Sequence, residues 1–155
     1  MTSPGTSPSW KNRLLETDDD IQRLLARTQR IAVLGIKTAE TGQPAYYVPE
    51  YAQRSGFEIV PVPVYFPDVT EILGQPVYRS LAEIPGEIDM VNVFRRPKDI
   101  PPHLPDILAK RPKSVWFQLG IRNDEAAELL AREGIDVVQD RCLLVEIGRG
   151  VTGSG

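Results

Sequence analysis

Arg30-Ile31-Ala32-Val33-Leu34-Gly35 is the stretch on which the fold turns. Four apolar residues run without a polar break and stop at a glycine. A strand with one wet face alternates, whereas an unbroken run marks a strand covered on both faces. Upstream, Thr17 precedes Asp18, Asp19 and Asp20. The hydroxyl can cap a helix, and the carboxylates suit the positive end of its dipole. Ile21, Leu24 and Leu25 then share one face, and this helix is predicted to end near Gln29. Downstream of Gly35 the chain is polar. Pro49 suits the first turn of a second helix, where a missing N–H costs nothing. Val48, Tyr51, Ala52 and Ser55 would share its face, and Gly56 would end it. Phe57-Glu58-Ile59-Val60-Pro61-Val62 follows as a second strand.

The same alternation continues. Between Pro63 and Gly86, prolines and glycines break the pattern; a loop, a short extended piece near Val77-Tyr78 and a helical turn after Ser80 are expected. Ile88 to Phe94 is a strand. Pro101, Pro102 and Pro105 crowd the start of a helix through Ile107, Leu108 and Ala109. Ser114-Val115-Trp116-Phe117 is a strand. Asn123 caps a helix with Ala126, Leu129 and Leu130 on one face, stopped by Gly134. Ile135 to Val138 is the last strand. A short amphipathic helix after Asp140 is expected to close the sheet edge with Leu143, Leu144 and Ile147. This order predicts an α/β fold: a Rossmann-like, doubly wound, mostly parallel sheet of five or six strands with helices on both faces.

The chain has 155 residues, 41% hydrophobic and 25% charged, with a formal net charge of -3. That is one domain with an ordinary core. Its expected limits are residues 17–149, between flexible tails at 1–16 and 150–155. No overall cationic field is present to recruit nucleic acid. No apolar run approaches the roughly 20 residues of a membrane span. One Cys (Cys142) and one His (His103) exclude an intramolecular disulfide and argue against a Cys/His metal site. Met1 to Ser9 lacks the basic and apolar regions of a signal peptide, so a cytoplasmic protein is expected.

Ligands of such sheets bind at the carboxyl ends of the strands, near the point where strand order reverses. The segments after Gly35, Val62, Phe94 and Phe117 are therefore the candidates. Gly35-Ile36-Lys37-Thr38 is neither a dinucleotide fingerprint nor a Walker A loop. It reads either as a turn with solvated polar residues or as an anion site in which Lys37 and Thr38 meet phosphate. Phe94-Arg95-Arg96 reads either as a solvated basic turn or as a place for phosphate and a planar base. Gln118 offers a neutral hydrogen-bonding group beside them. Of Tyr46 and Tyr47, one is expected to pack and the other to border the cleft. His103 is expected to be solvated at a helix entry and Cys142 to be a small core residue, both away from the ligand edge. No catalytic set and no metal cluster is legible.

Taken in order, several phrases resemble a known family. They are Ile31-Ala-Val-Leu-Gly35, Val48-Pro-Glu-Tyr51, Pro61-Val62, Leu81-Ala-Glu-Ile-Pro85, Val91-Asn-Val-Phe-Arg95, Trp116-Phe-Gln-Leu-Gly-Ile121 and Asp140-Arg-Cys142. The family is that of small single-domain CoA-binding proteins, similar in fold to the N-terminal domain of the succinyl-CoA synthetase α subunit. The resemblance implies coenzyme A or an acyl-CoA as ligand. It places phosphates near Gly35, Ile36, Lys37 and Thr38, the adenine and ribose end near Pro61-Val62, and other parts along Val93-Phe94-Arg95. With Tyr46, Val48 and Gln118, these residues are the expected site. Many relatives carry a lysine where this chain has Tyr65, which leaves Lys37 or Arg95 to meet a 3′-phosphate. Synthetases built on this domain use a histidine on another domain and a nucleotide-grasp partner. The implied role is therefore non-catalytic binding. The alternatives are an NAD(P)-binding or acyl-CoA-handling enzyme, a homodimer, or the accessory subunit of a ligase.

Overall fold

The run at Arg30 forms the second strand of a five-stranded parallel sheet. The computed structural model describes residues 9–153, with side chains through residue 150. In chain order the elements are α1 (Asp18–Ala26), β1 (Arg30–Leu34), α2 (Pro44–Arg54), β2 (Glu58–Val62), β3 (Glu71–Ile72) and β4 (Gln75–Pro76). Then come β5 (Met90–Val93), α3 (Leu104–Lys110), β6 (Ser114–Phe117), α4 (Asp124–Arg132), β7 (Asp136–Val138) and α5 (Leu143–Gly153). The sheet runs β2-β1-β5-β6-β7, and β3 with β4 forms a separate antiparallel hairpin. The predicted doubly wound sheet is therefore present, with five strands.

Residue parity along each strand assigns the two faces. Ala32, Leu34, Val91, Val93, Val115 and Phe117 pack with Ile107 of α3 and with Ala126 and Leu130 of α4. Ile31, Val33, Met90 and Trp116 pack with Ile21 and Leu24 of α1, Val48 and Ala52 of α2, and Leu143 and Ile147 of α5. Burying each such aliphatic side chain contributes about 1.5–3 kcal/mol before chain entropy is counted. Trp116 is fully buried, and its ring N–H donates to the Arg141 carbonyl at 2.8 Å, so its polar atom is not orphaned.

The expected caps hold. Thr17 Oγ1 accepts from the Asp20 N–H at 3.1 Å and Asn123 Oδ1 from the Ala126 N–H at 3.0 Å. Three expectations need correction. First, α2 begins at Pro44, not at Pro49; Pro44 takes the N-terminal position that suits proline, and Pro49 lies inside the helix. Second, the extended piece in the broken segment is the β3–β4 hairpin. Its turn, Leu73-Gly74, has positive φ at both residues, the geometry of a tight hairpin. A leucine there carries no turn signal. Third, α5 covers a face of the sheet rather than its edge. The β7 edge is met instead by Leu14, which bridges Val137, and by the Leu15 N–H, which donates to the Val137 carbonyl at 2.9 Å. The packed chain thus starts before residue 17, with a short 3-10 turn at Ser9–Arg13. α5 runs on to Gly153, past the expected limit at 149. The remaining parts of both expected tails, residues 1–8 and 154–155, lie outside the described residues.

Candidate functional site

Counting only the five sheet strands, the order is the doubly wound 2-1-3-4-5 pattern, which reverses between β1 and β5. Hydrogen bonds tie the carboxyl end of β1 to both of its neighbours, β2 and β5. The Gly35 N–H donates to the Val62 carbonyl at 2.9 Å and the Phe94 N–H to the Leu34 carbonyl at 2.9 Å. Gly35 has φ +89°, and a Cβ on it would come well inside 3.0 Å of the Phe94 carbonyl oxygen. Only glycine lets the two chain exits pass so closely.

Over this point opens a cleft of about 330 Å³. Lys37 comes from the loop after β1, and Gln43, Pro44 and Ala45 from the N-terminal end of α2. Phe94, Arg95, Arg96 and Pro97 follow β5, and Gln118 to Ile121 follow β6. Positive charge is in excess. The Lys37 ammonium donates to the neutral Gln43 Oε1 at 2.6 Å. Arg96 pairs with Asp99 at 2.9 Å, whereas Arg95 reaches the same carboxylate only at 4.0 Å. The Arg96 hydrogen bond and the nearby cations hold the Asp99 carboxyl below the usual carboxylate range. Arg95 also lies over the exposed Tyr65 ring, 5.5 Å from its centroid, and donates to its hydroxyl at 3.3 Å. That hydrogen bond, with the Arg95 charge, lowers the Tyr65 phenol from its ordinary value. Leu119, 65% exposed, and the partly buried Phe94 and Ile121 supply apolar surface.

Of the expected site residues, Lys37, Phe94, Arg95 and Gln118 come together in the cleft. Ile36, Val48, Val62 and Val93 are each about 1% exposed and pack in the core behind it. Tyr46 is half-buried against the core, and Tyr47 is the exposed one of the pair. Thr38 is buried and donates to Glu40 at 2.5 Å, so it shapes the loop. Pro61 sits in the edge strand β2, where its missing N–H is tolerated, and its carbonyl accepts from the Tyr78 N–H at 3.0 Å. The N–H groups of Gly35 and Lys37 are both engaged within the protein, the latter by the Ala45 carbonyl at 3.1 Å. His103 also departs from expectation: it is half-buried, and burial together with the charge of Arg95 lowers its pKa. It therefore lies within the electrostatic reach of the cleft. Cys142 packs against the core but is only partly buried, short of the core position expected for it.

Gln43, Pro44 and Ala45 were not expected in the cleft, because Pro49 rather than Pro44 suggested the first turn of α2; the Gly42-Gln43-Pro44 run carried the signal. A larger cavity, about 390 Å³, opens at the β7 edge and contains Arg122 and Arg141. Its arginines are already matched. Arg122 pairs with Asp124 at 3.1 Å, and Arg141 with Asp18 at 3.1 Å and Glu146 at 3.6 Å. The smaller cleft has uncompensated charge and stands at the switch point, so it is the candidate site. Among the described residues, no group of three or more His, Cys, Asp or Glu side chains could hold a metal ion.

A family model described as a CoA binding domain matches residues 29–148. The chain belongs to this CoA-binding domain family. A curated relative is the uncharacterized protein YneT of Bacillus subtilis, 36% identical over 126 residues that span 81% of this chain and 90% of YneT. A solved structure from Thermus thermophilus is 38% identical, with a TM-score of 0.79 over 87% of this chain and 99% of that one. A hypothetical protein from Pyrococcus horikoshii is 30% identical, with a TM-score of 0.79 over 96% and 99%. The cleft of this CoA-binding domain holds cations from the loops after β1 and β5 and apolar surface with one amide after β6, and the exposed Tyr65 ring stands beside it against Arg95.

Proposed function

We propose that this chain binds coenzyme A or an acyl-CoA in the β1/β5 cleft and does so without catalysing a reaction on it. The observation that carries the reading is the gathering of Lys37, Arg95 and Arg96 with the N-terminal end of α2 at the switch point of the sheet. Charge-assisted hydrogen bonds to phosphate are the strong kind, and the dipole of α2 adds to them. The phosphates lie over β1 and β5. The adenine end lies toward β2, where Tyr65 presents an aromatic face. The pantetheine arm lies toward β6, over Phe94, Leu119 and Ile121.

Isothermal titration with CoA tests the reading. Saturable binding with one ligand per chain is expected, and no heat at millimolar CoA would refute it. A thermal-shift comparison with NAD(P) separates the dinucleotide alternative, because a ligand stabilises the fold according to its affinity. Dephospho-CoA tests a finer point. If Lys37 or Arg95 meets the 3′-phosphate, as we propose, dephospho-CoA binds more weakly than CoA; equal affinities would sink that assignment.

A further inference from the structure

Gln118 is only 4% exposed, yet it lines the cleft floor. Two donors converge on its Oε1. The backbone N–H of Leu143, at the start of α5, donates at 3.3 Å, and Asn92 Nδ2, from the buried centre of β5, donates at 3.3 Å. A backbone N–H cannot exchange roles as a side-chain amide can, so the Leu143 bond decides which way the Gln118 amide faces. With the oxygen held on the protein side, the Nε2 amine is the remaining polar end of a cleft-lining side chain. Among the described residues it has no hydrogen-bond partner. Asn92 shows how strongly the arrangement is held: it is fully buried and its own Oδ1 has no partner among the described residues. A buried orphan carbonyl is costly, and it accompanies an amine end that donates both to the Trp116 carbonyl at 3.4 Å and to Gln118, so Asn92 ties Gln118 to the neighbouring strand.

From this we infer that the Gln118 amine donates to an uncharged carbonyl oxygen of the ligand. The inference rests on the CoA reading and deepens it. Phosphate belongs with the cations on β1 and β5, whereas Gln118 stands one strand further out on β6, about 4.8 Å away. Its neighbours there are Leu119 and Ile121, and no cation follows it until Arg122. A neutral donor flanked by Leu119 and Ile121, at the end of the cleft away from Lys37, suits an amide or thioester carbonyl of a pantetheine-type arm and adds no charge to attract phosphate. A site built to donate to an acceptor rejects analogues that lack it, because its own polar group is then left unpaired.

The test compares CoA with adenosine 3′,5′-bisphosphate, which keeps the 3′- and 5′-phosphates of the nucleotide but lacks the second phosphate of the pyrophosphate and the pantetheine arm. Calorimetry on the full chain and on Gln118→Met should show CoA affinity falling about ten-fold, the usual scale for one buried hydrogen bond, with the bisphosphate unaffected. Equal losses for both ligands, or no loss for either, would overturn the inference. Should Gln118→Met fail to fold, the side-chain NH₂ resonances of Gln118 in the wild-type chain decide, assigned by their absence in Gln118→Glu. They should shift with CoA and stay in place with the bisphosphate; any other pattern overturns the inference. If the wild-type chain binds neither ligand, the CoA reading itself has failed, an outcome distinct from a failure of Gln118's role alone.

Discussion

Gly35 is the most exacting position in the site, and replacing it with alanine tests the geometry directly. Two costs are expected. One is conformational: φ is +89°, and a Cβ in the left-handed region costs about 1 kcal/mol or somewhat more. The other is steric. The new methyl would lie well inside 3.0 Å of the Phe94 carbonyl oxygen and 3.1 Å from its carbon. Both are backbone atoms at the exit of β5, so no side chain can rotate away and the chain itself must move. Overpacking of this kind costs about 1–3 kcal/mol. Gly42 provides the control. Its φ is +62°, and a Cβ there meets nothing within 4 Å, so Gly42→Ala carries the conformational cost alone. The difference between the two variants should be about 2 kcal/mol, or roughly 4–8 °C in melting temperature for a chain of this size. Urea unfolding and thermal melts of both variants measure it. Equal destabilisation would show that the Phe94 carbonyl does not press on Gly35, and the close crossing of β1 and β5 would be wrong.

Other consequences follow from the same structure. Replacing Lys37 or Arg95 with methionine should weaken CoA binding by about ten-fold or more, the scale of one charge-assisted hydrogen bond, and should flatten the dependence of affinity on salt; calorimetry at two ionic strengths reads both. Thr17→Ala should cost about 1 kcal/mol of stability through a lost cap, measured by urea unfolding with CoA affinity unchanged. His103 has a folded pKa below its unfolded value near 6.5, so the unfolded chain takes up the proton first. Its contribution to stability is therefore complete above about pH 6.5 and is lost as pH falls from there through the folded pKa. His103→Gln should remove that part of the pH dependence of the melting temperature, and an unchanged slope would count against the half-buried setting.

The sheet was legible in the sequence because its strands are continuous apolar runs and its helices carry textual marks at their ends, Thr17 and Asn123 among them. The hairpin was not legible, since Leu73 takes a left-handed conformation that nothing in its side chain announces. The site was half legible. Lys37, Phe94, Arg95 and Gln118 were expected at the strand ends, and the structure brings those four together in one cleft. Ile36, Val48, Val62 and Val93 are buried in the core instead, because a residue one step along the chain from a cleft-lining one can point inward. Gln43 to Ala45 were missed because two prolines competed for one helix start. Tyr65 was noticed only for what it lacks. Its loop is clasped by Arg79, whose guanidinium donates to the carbonyls of Tyr65, Phe66 and Val69, and no local pattern reports a clasp ten or more residues away.

The competition between those prolines bears on how the ligand loop is held. In an unbroken helix the N–H of residue 49 would donate to the carbonyl of residue 45, four positions back. Pro49 has no N–H, and a proline inside a helix usually costs about 3 kcal/mol, partly because that carbonyl is left over and pushed aside. Here the Ala45 carbonyl is not left over. It accepts the Lys37 N–H at 3.1 Å, so a gap in α2 becomes the anchor of the loop that leaves β1. The consequence reaches the site. Lys37 is fixed by its backbone to the first turn of α2 and by its ammonium to Gln43 of the same turn. Its charge is therefore held beside the positive end of the helix, where the two fields add on whatever anion lies between them. A free loop would let the lysine swing into solvent, and part of its attraction would then be lost to the entropy of ordering it on binding. Pro49, which lines no part of the cleft, thus acts on it by leaving one carbonyl for Lys37.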